Sequence, residues 1–254
     1  MALFQNFFKP QAPKPEPVQV SPVPAHLPGI QSATAAEIAK SSHPSPEAKA
    51  LLTPHQTPSQ YLGALQQKQM GGEMVKTMAH GMPDREGVHW AAQSAEKVSD
   101  KLPPSDVHAM KAAQTWAKNP TPENKAAASA AAAKTDYRGP GALAAQGAAW
   151  AQPTAAATPV AGAAPAPRMT PHAVTGAVLL SAAIKANPAL AAPKLQPPAL
   201  EAPTLSAPAA QAPQIAAPEV PLPAIPPAVQ AQTFKEQHPF IAMGLDIASG
   251  KNTC

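Results

Sequence analysis

The sequence predicts an all-α protein: a compact bundle of short helices with a disordered N-terminal tail and a long proline-rich loop of pentad repeats before the last helix. Three observations carry this expectation. Ser45-Pro46, Thr57-Pro58, Thr121-Pro122 and Thr170-Pro171 each set a capping hydroxyl before a proline whose missing N–H would be an orphan in a first helical turn anyway, and good helix formers follow. No segment alternates apolar and polar residues over a β-rich composition, so nothing reads as a strand. From Asn187 to Pro227 a proline falls at every fifth position (Pro188, Pro193, Pro198, Pro203, Pro208, Pro213, Pro218, Pro223), with an apolar residue two places after each, from Leu190 to Ile225. Each proline fixes its own φ and pushes its predecessor toward extended geometry, so this array is expected to be neither helix nor central strand.

Composition narrows the classes. Of 254 residues, 35 are proline and 59 alanine, which leaves much less than the full length to build a core and points to one modest domain with linkers. The net charge of +4 comes from sixteen lysines and three arginines (Arg85, Arg138, Arg168) scattered without a patch. Aromatics are too few to interleave with a basic groove, so no nucleic-acid partner is expected. The single cysteine, Cys254, is the last residue; it excludes an intramolecular disulfide and a cysteine-built metal site, suits a reducing compartment, and reads as an incidental exposed thiol. Met1 to Pro10 shows no secretory pattern. The most apolar run, Ala173 to Ile184, falls short of the roughly 20 residues a membrane span requires. A cytoplasmic protein without a transmembrane segment is the expectation.

In chain order, residues 1–31 read as a disordered proline-rich tail. Within it Phe4, Phe7 and Phe8 share the i, i+3, i+4 spacing of one helix side, which could dock into a partner or touch a membrane surface weakly through residues 1–8; helices this short are marginal in water, so a transient cluster is the commoner outcome. Residues 32–250 read as a helical domain, interrupted by an Ala/Pro linker at 152–168 and the pentad insertion at 187–232, with a tail at 251–254. Short helical pieces are expected at 33–40 and 47–52, and helices near 58–69, 72–80, 83–101, 104–118, 122–135, 140–151 and 171–186. The last segment places Phe234, Ile241, Leu245 and Ala248 on one side, and Gly250 follows as a C-cap. Pro239 should kink a continuous helix there, so the firm part is expected at 239–249.

The faces these helices offer are narrow. Val88, Ala91, Ala92, Ala95 and Val98 follow helical spacing, as do Ala109, Ala112, Ala113 and Trp116, so alanines let helices approach while large rings fill the wider gaps. Trp90, Trp116 and Trp150 are expected as packing elements, together with Val88, Val174, Val178, Ile241 and Leu245. Burying one such ring contributes roughly 3 kcal/mol, which makes Trp90→Ala one of the more damaging single changes.

No reaction is announced. Eight histidines show no H-x-x-x-H pair, and no nucleophile elbow, dinucleotide fingerprint or P-loop is present, so no catalytic residue, cofactor or metal is expected. Asp84, Arg85 and Glu86 form the densest charge cluster, and the two acids suit a helix's first turn through the macrodipole. An enzyme would need a deep polar pocket gathering several of His80, His89, His108, Asp84 and Glu86.

At Pro83-Asp84-Arg85-Glu86-Gly87-Val88-His89-Trp90-Ala91-Ala92, at Thr170 to Leu180 (TPHAVTGAVLL) and at Phe240 to Gly250 (FIAMGLDIASG), the chain resembles an uncharacterised all-helical bacterial domain family found beside type VI secretion genes; Glu47 to Leu52 resembles it too. His89 stands where that family more often has an aromatic, and Pro239 and the pentads are departures. The resemblance implies a non-enzymatic accessory or adaptor role with secretion-apparatus components as partners, and carries over no catalytic residue. It also implies that the last helix belongs to the domain, making the array a loop tethered at both ends. Closing about 48 residues costs roughly 3 to 4 kcal/mol, less than the roughly 6 to 10 kcal/mol that burying Phe240, Ile241, Leu245 and Ile247 could return. The alternative is a multivalent scaffold whose pentads themselves occupy partner grooves.

Overall fold

A computed structural model describes residues 22–152, 168–191 and 227–252. Among them are ten α-helices, two 3-10 turns and no strand. Tail residues 1–21 with Phe4, Phe7 and Phe8, most of the Ala/Pro linker, pentad residues 192–226 and Cys254 lie outside the described residues; of the stretch expected as a disordered tail, 22–31 are described, and Leu27 and Ile30 are buried in the core.

Local capping sets the first elements. Helix α1 (Ala35–Ser42) starts from a reciprocal box: Thr34 Oγ1 accepts from Glu37 N–H, while Glu37 Oε2 accepts from Thr34 N–H. The Ser45 hydroxyl begins α2 (Pro46–Lys49), and Thr57 with Gln60 forms a second box at α3 (Pro58–Gln67). Then follow α4 (Gly71–Gly81), α5 (Asp84–Glu96), α6 (Pro104–Lys118) and α7 (Pro122–Ala133), the last capped by Thr121 Oγ1. The chain ends α5 five residues earlier than its pattern suggested: Val98 takes φ −126°, its side chain is buried, and Ser99–Lys101 tightens into a 3-10 turn.

The centre of the bundle is α8 (Pro140–Trp150), which packs against α5, α6, α7 and α9 (Thr170–Ala186). Its inward face is Gly141, Ala142, Ala144, Ala145, Gly147 and Ala148, small enough for four helices to close around it. A Cβ on Gly141 would run into the Asp106 carbonyl oxygen, so glycine is required at that crossing. A second group forms where α4 meets α1, α3, α9 and the last helix. Val88, Trp90, Val174, Val178 and Ile241 are almost wholly buried, and Trp116 and Leu245 are 6% exposed each.

Three expectations need correction. Trp150, expected as a packing element, is 42% exposed, because the alanine and glycine face of α8 points inward and position 150 falls on the other side. Thr170 does not cap α9; it is the first helical residue, and its hydroxyl donates to the Gly147 carbonyl 3.2 Å away on α8. The last helix, α10 (Pro227–Ala248), begins twelve residues before the expected firm part and runs through Pro239. Both Pro239 and Lys235 are exposed, so the carbonyl that lacks a proline N–H lies toward water, where its loss costs least. Gly250 ends this helix at φ 81°, with Lys251 N–H reaching back to Asp246 O at 2.9 Å.

Candidate functional site

The acid at the start of α5 does more than complement a helix dipole. Asp84 Oδ2 accepts from the backbone N–H of Gln152 at 2.9 Å, just past the end of α8. Its Oδ1 accepts from Arg168 through Nε at 3.1 Å and through Nη2, and the same Nη2 also donates to the Met82 carbonyl at 3.0 Å. The Asp84 side chain is 9% exposed in this pair. One carboxylate thus holds the residue before and the residue after 153–167, fixing both ends of that segment against the first turn of α5. Next to it, Arg85 reaches the other way: its Nε donates to the Ala117 carbonyl at 2.7 Å and its Nη2 to Lys118 at 3.2 Å, satisfying orphan carbonyls at the end of α6.

Behind this clasp lies His80 on α4, 6% exposed. Its Nδ1 is 3.2 Å from Ser41 Oγ, and its ring stands edge-on to His172, 5.0 Å between centroids. Burial first, then the nearby His172, Arg168, Lys76 and His43, push its pKa down to about 4. His89, on α5, is paired with Gln93 across 2.9 Å, and its pKa is lowered chiefly by burial. His108 is exposed on α6. Of the residues an enzyme reading would gather, His80 and Asp84 meet only through Arg168; a groove beside α10 is lined by none of them.

That groove is about 730 Å³ in volume and runs between α5, the end of α9 and α10. Gln93, Glu96 and Lys97 form one wall, and Phe240, Met243 and Asp246 the other. Lys185 crosses from α9 with its ammonium 5.6 Å from the centre of the Phe240 ring. Asn252 Nδ2 donates to Gln93 Oε1 at 3.1 Å and closes one end. Both charge signs around an aromatic and thioether floor suit a peptide segment, which brings apolar side chains and backbone polar groups together.

The opposite wall depends on one contact. Trp90 Nε1 donates to the Phe240 carbonyl at 2.9 Å, and its ring lies against Gly244, where a Cβ would come within 2.6 Å of ring carbons. Gly29 N–H donates to Ala248 O at 2.7 Å and satisfies the far end of α10.

Sequence reasoning missed Asp106, which is wholly buried on α6 and caps α8 across space: its carboxylate accepts from Gly141 N–H at 3.2 Å and Ala142 N–H at 2.7 Å. A signal existed, since Asp106 falls on the same stripe as Ala109, Met110, Ala113 and Ala117, and a charge in an apolar stripe requires partners. Arg168 carried a weaker one, as one of three arginines and two residues ahead of α9. Among the described residues, no three His, Cys, Asp or Glu side chains are grouped so as to hold a metal ion, and no described helix is long and apolar enough to cross a membrane.

Residues 61–198 match the model of a family of unknown function, DUF6931. That span runs from within α3 through α9, so α1, α2 and α10 fall outside it, as do the resembling stretches at 47–52 and 240–250. No curated protein and no solved structure matches the chain.

Proposed function

We propose that this chain, which belongs to the family of unknown function DUF6931, is a non-enzymatic adaptor whose helical body presents two proline-rich segments and a peptide-sized groove to protein partners. The observation that carries this is the double hold of Asp84 on Gln152 and Arg168. A carboxylate that grips the residues on both sides of a segment sets where that segment leaves and re-enters the body, as display to a partner requires. The array is treated the same way, leaving at the end of α9 and returning into a helix pinned by Trp90. Behind the finer assignment, an accessory of a type VI secretion apparatus, stands the resemblance of Pro83 to Ala92, Thr170 to Leu180 and Phe240 to Gly250 to a family encountered beside those genes. Affinity purification from cells should recover apparatus components, and deletion should impair secretion; recovery of none, with secretion unchanged, sinks the assignment.

The scaffold reading keeps one observation of its own, the phase of the pentads. Replacing residues 192–226 by a Gly/Ser chain of equal length separates the two: full retention of partner binding makes the array a spacer, and loss makes the pentads the ligand.

A further inference from the structure

Helix α10 is seated in a groove made by α4, α5 and α9, and its own chain reaches that seat only through residues 192–226. The seat is shaped for one helix. Gly244 admits the Trp90 ring, Trp90 Nε1 takes the Phe240 carbonyl, and on α4 a Cβ at Gly71 would press within 3.1 to 3.2 Å of Phe234 and Ile241. All three helices of the seat lie inside the family-matched span 61–198, whereas the helix that fills it lies outside.

The tether is far longer than this seating requires. Lys185 lies over Phe240, so the end of α9 meets the middle of α10. Pro227 is thirteen residues up that helix, roughly 20 Å away at 1.5 Å per residue, so the gap from Ala191 to Pro227 is on the order of 20 to 30 Å. Thirty-five residues restricted by proline reach about 110 Å when extended. The contacts α10 makes are the same whether the groove belongs to its own chain or to a neighbour, so only the tether and the concentration decide between them.

We propose that α10 is exchangeable, and that the partner fitted by the α4–α5–α9 groove is α10 of a second copy of this chain, two molecules assembling by reciprocal exchange. At micromolar concentration the tether holds α10 at an effective concentration of about a millimolar and the monomer dominates; chains refolded near that concentration exchange. Light scattering under reducing conditions, which removes any Cys254 disulfide, tests this. Wild-type protein refolded at 1 mM and then diluted should hold at least tenfold more dimer than the same protein refolded at 10 μM. Deleting 192–232 joins Ala191 to Thr233 with no slack before Phe234, the first buried residue of α10, so that chain should be dimeric at concentrations where the wild type is a monomer, and Gly244→Leu in it should return a monomer that has lost the helicity of α10 and no more. A deletion variant that stays a folded monomer overturns the proposal, as does a dimer indifferent to Gly244→Leu. If the deletion variant does not fold, a wild-type protein that remains monomeric after refolding at 1 mM overturns it alone.

Discussion

Asp106 and His80 are ionisable groups placed where water does not reach, and each makes stability depend on pH in its own direction. Asp106 gives α8 two of its first N–H groups a partner; without the carboxylate they would be buried donors with none. Asp106→Ala should therefore lower the unfolding free energy by about 2 kcal/mol in urea titrations, and an unchanged midpoint would mean the cap is idle. Burial nonetheless outweighs those bonds and raises its pKa above the ordinary 3.8, so the folded state holds this proton more firmly than the unfolded chain. The contribution is present below 3.8 and is lost as pH rises through the raised value. His80 runs the other way. Its pKa falls from 6.5 to about 4 because burial, and then the neighbouring His172, Arg168, Lys76 and His43, disfavour the imidazolium, so the stabilisation is present above 6.5 and lost as pH falls toward 4. Between pH 7.5 and 5.0 the wild type should lose about 2 kcal/mol more stability than His80→Gln; equal losses would mean that His80 titrates normally.

At the scale of elements, α10 behaves as a unit whose attachment rests on its crossing with α5. Gly244→Leu forces a branched side chain into ring carbons that a Cβ alone would approach to 2.6 Å, in a core with no room to yield. The expected cost is about 3 kcal/mol, and it should appear locally: amide exchange should quicken across 234–248 while α5 and α8 keep their protection. Uniform loss of protection would show that α10 folds as one with the body. Elements were legible in the sequence to the degree that their causes were local. Ser45, Thr57 and Thr121 cap because each cap is made within three residues. Thr170 looked the same and does not cap, because the Gly147 carbonyl, twenty-three positions away, takes its hydroxyl. Pro239 was expected to leave only 239–249 firm, yet the helix runs through it from Pro227, since the cost of a proline depends on which side faces water. Trp150 was placed inside by residue type, although the small residues of α8 had already claimed the inward face. The candidate site was the least legible part: Asp84 could be read as a helix-start acid, but nothing local tells that it meets Arg168 eighty-four residues later.

For the molecule as a whole, the question is whether the Asp84 clasp holds the two halves of the chain together or only positions what lies between them. The packing answers it. Helix α8 lies against α9, and α5 lies against both, so residues up to 152 and residues from 168 are joined by buried contacts of Val88, Ala148, Val174, Ala177 and Val178. An ion pair whose arginine side chain is 37% exposed adds little to such an interface, on the order of 1 kcal/mol, and salt weakens it further. With a specific protease site inserted between residues 158 and 159, the cleaved halves should therefore stay together through gel filtration, even in 1 M salt and even with Asp84→Ala. What Asp84→Ala should change is the base of the loop: exchange of the Gln152 amide, whose hydrogen bond it removes, should accelerate at least tenfold while the melting temperature drops by only a few degrees. Separation of the halves on cleavage would make the clasp a structural staple. Retention together with a loosened base assigns it to display, the role an adaptor requires.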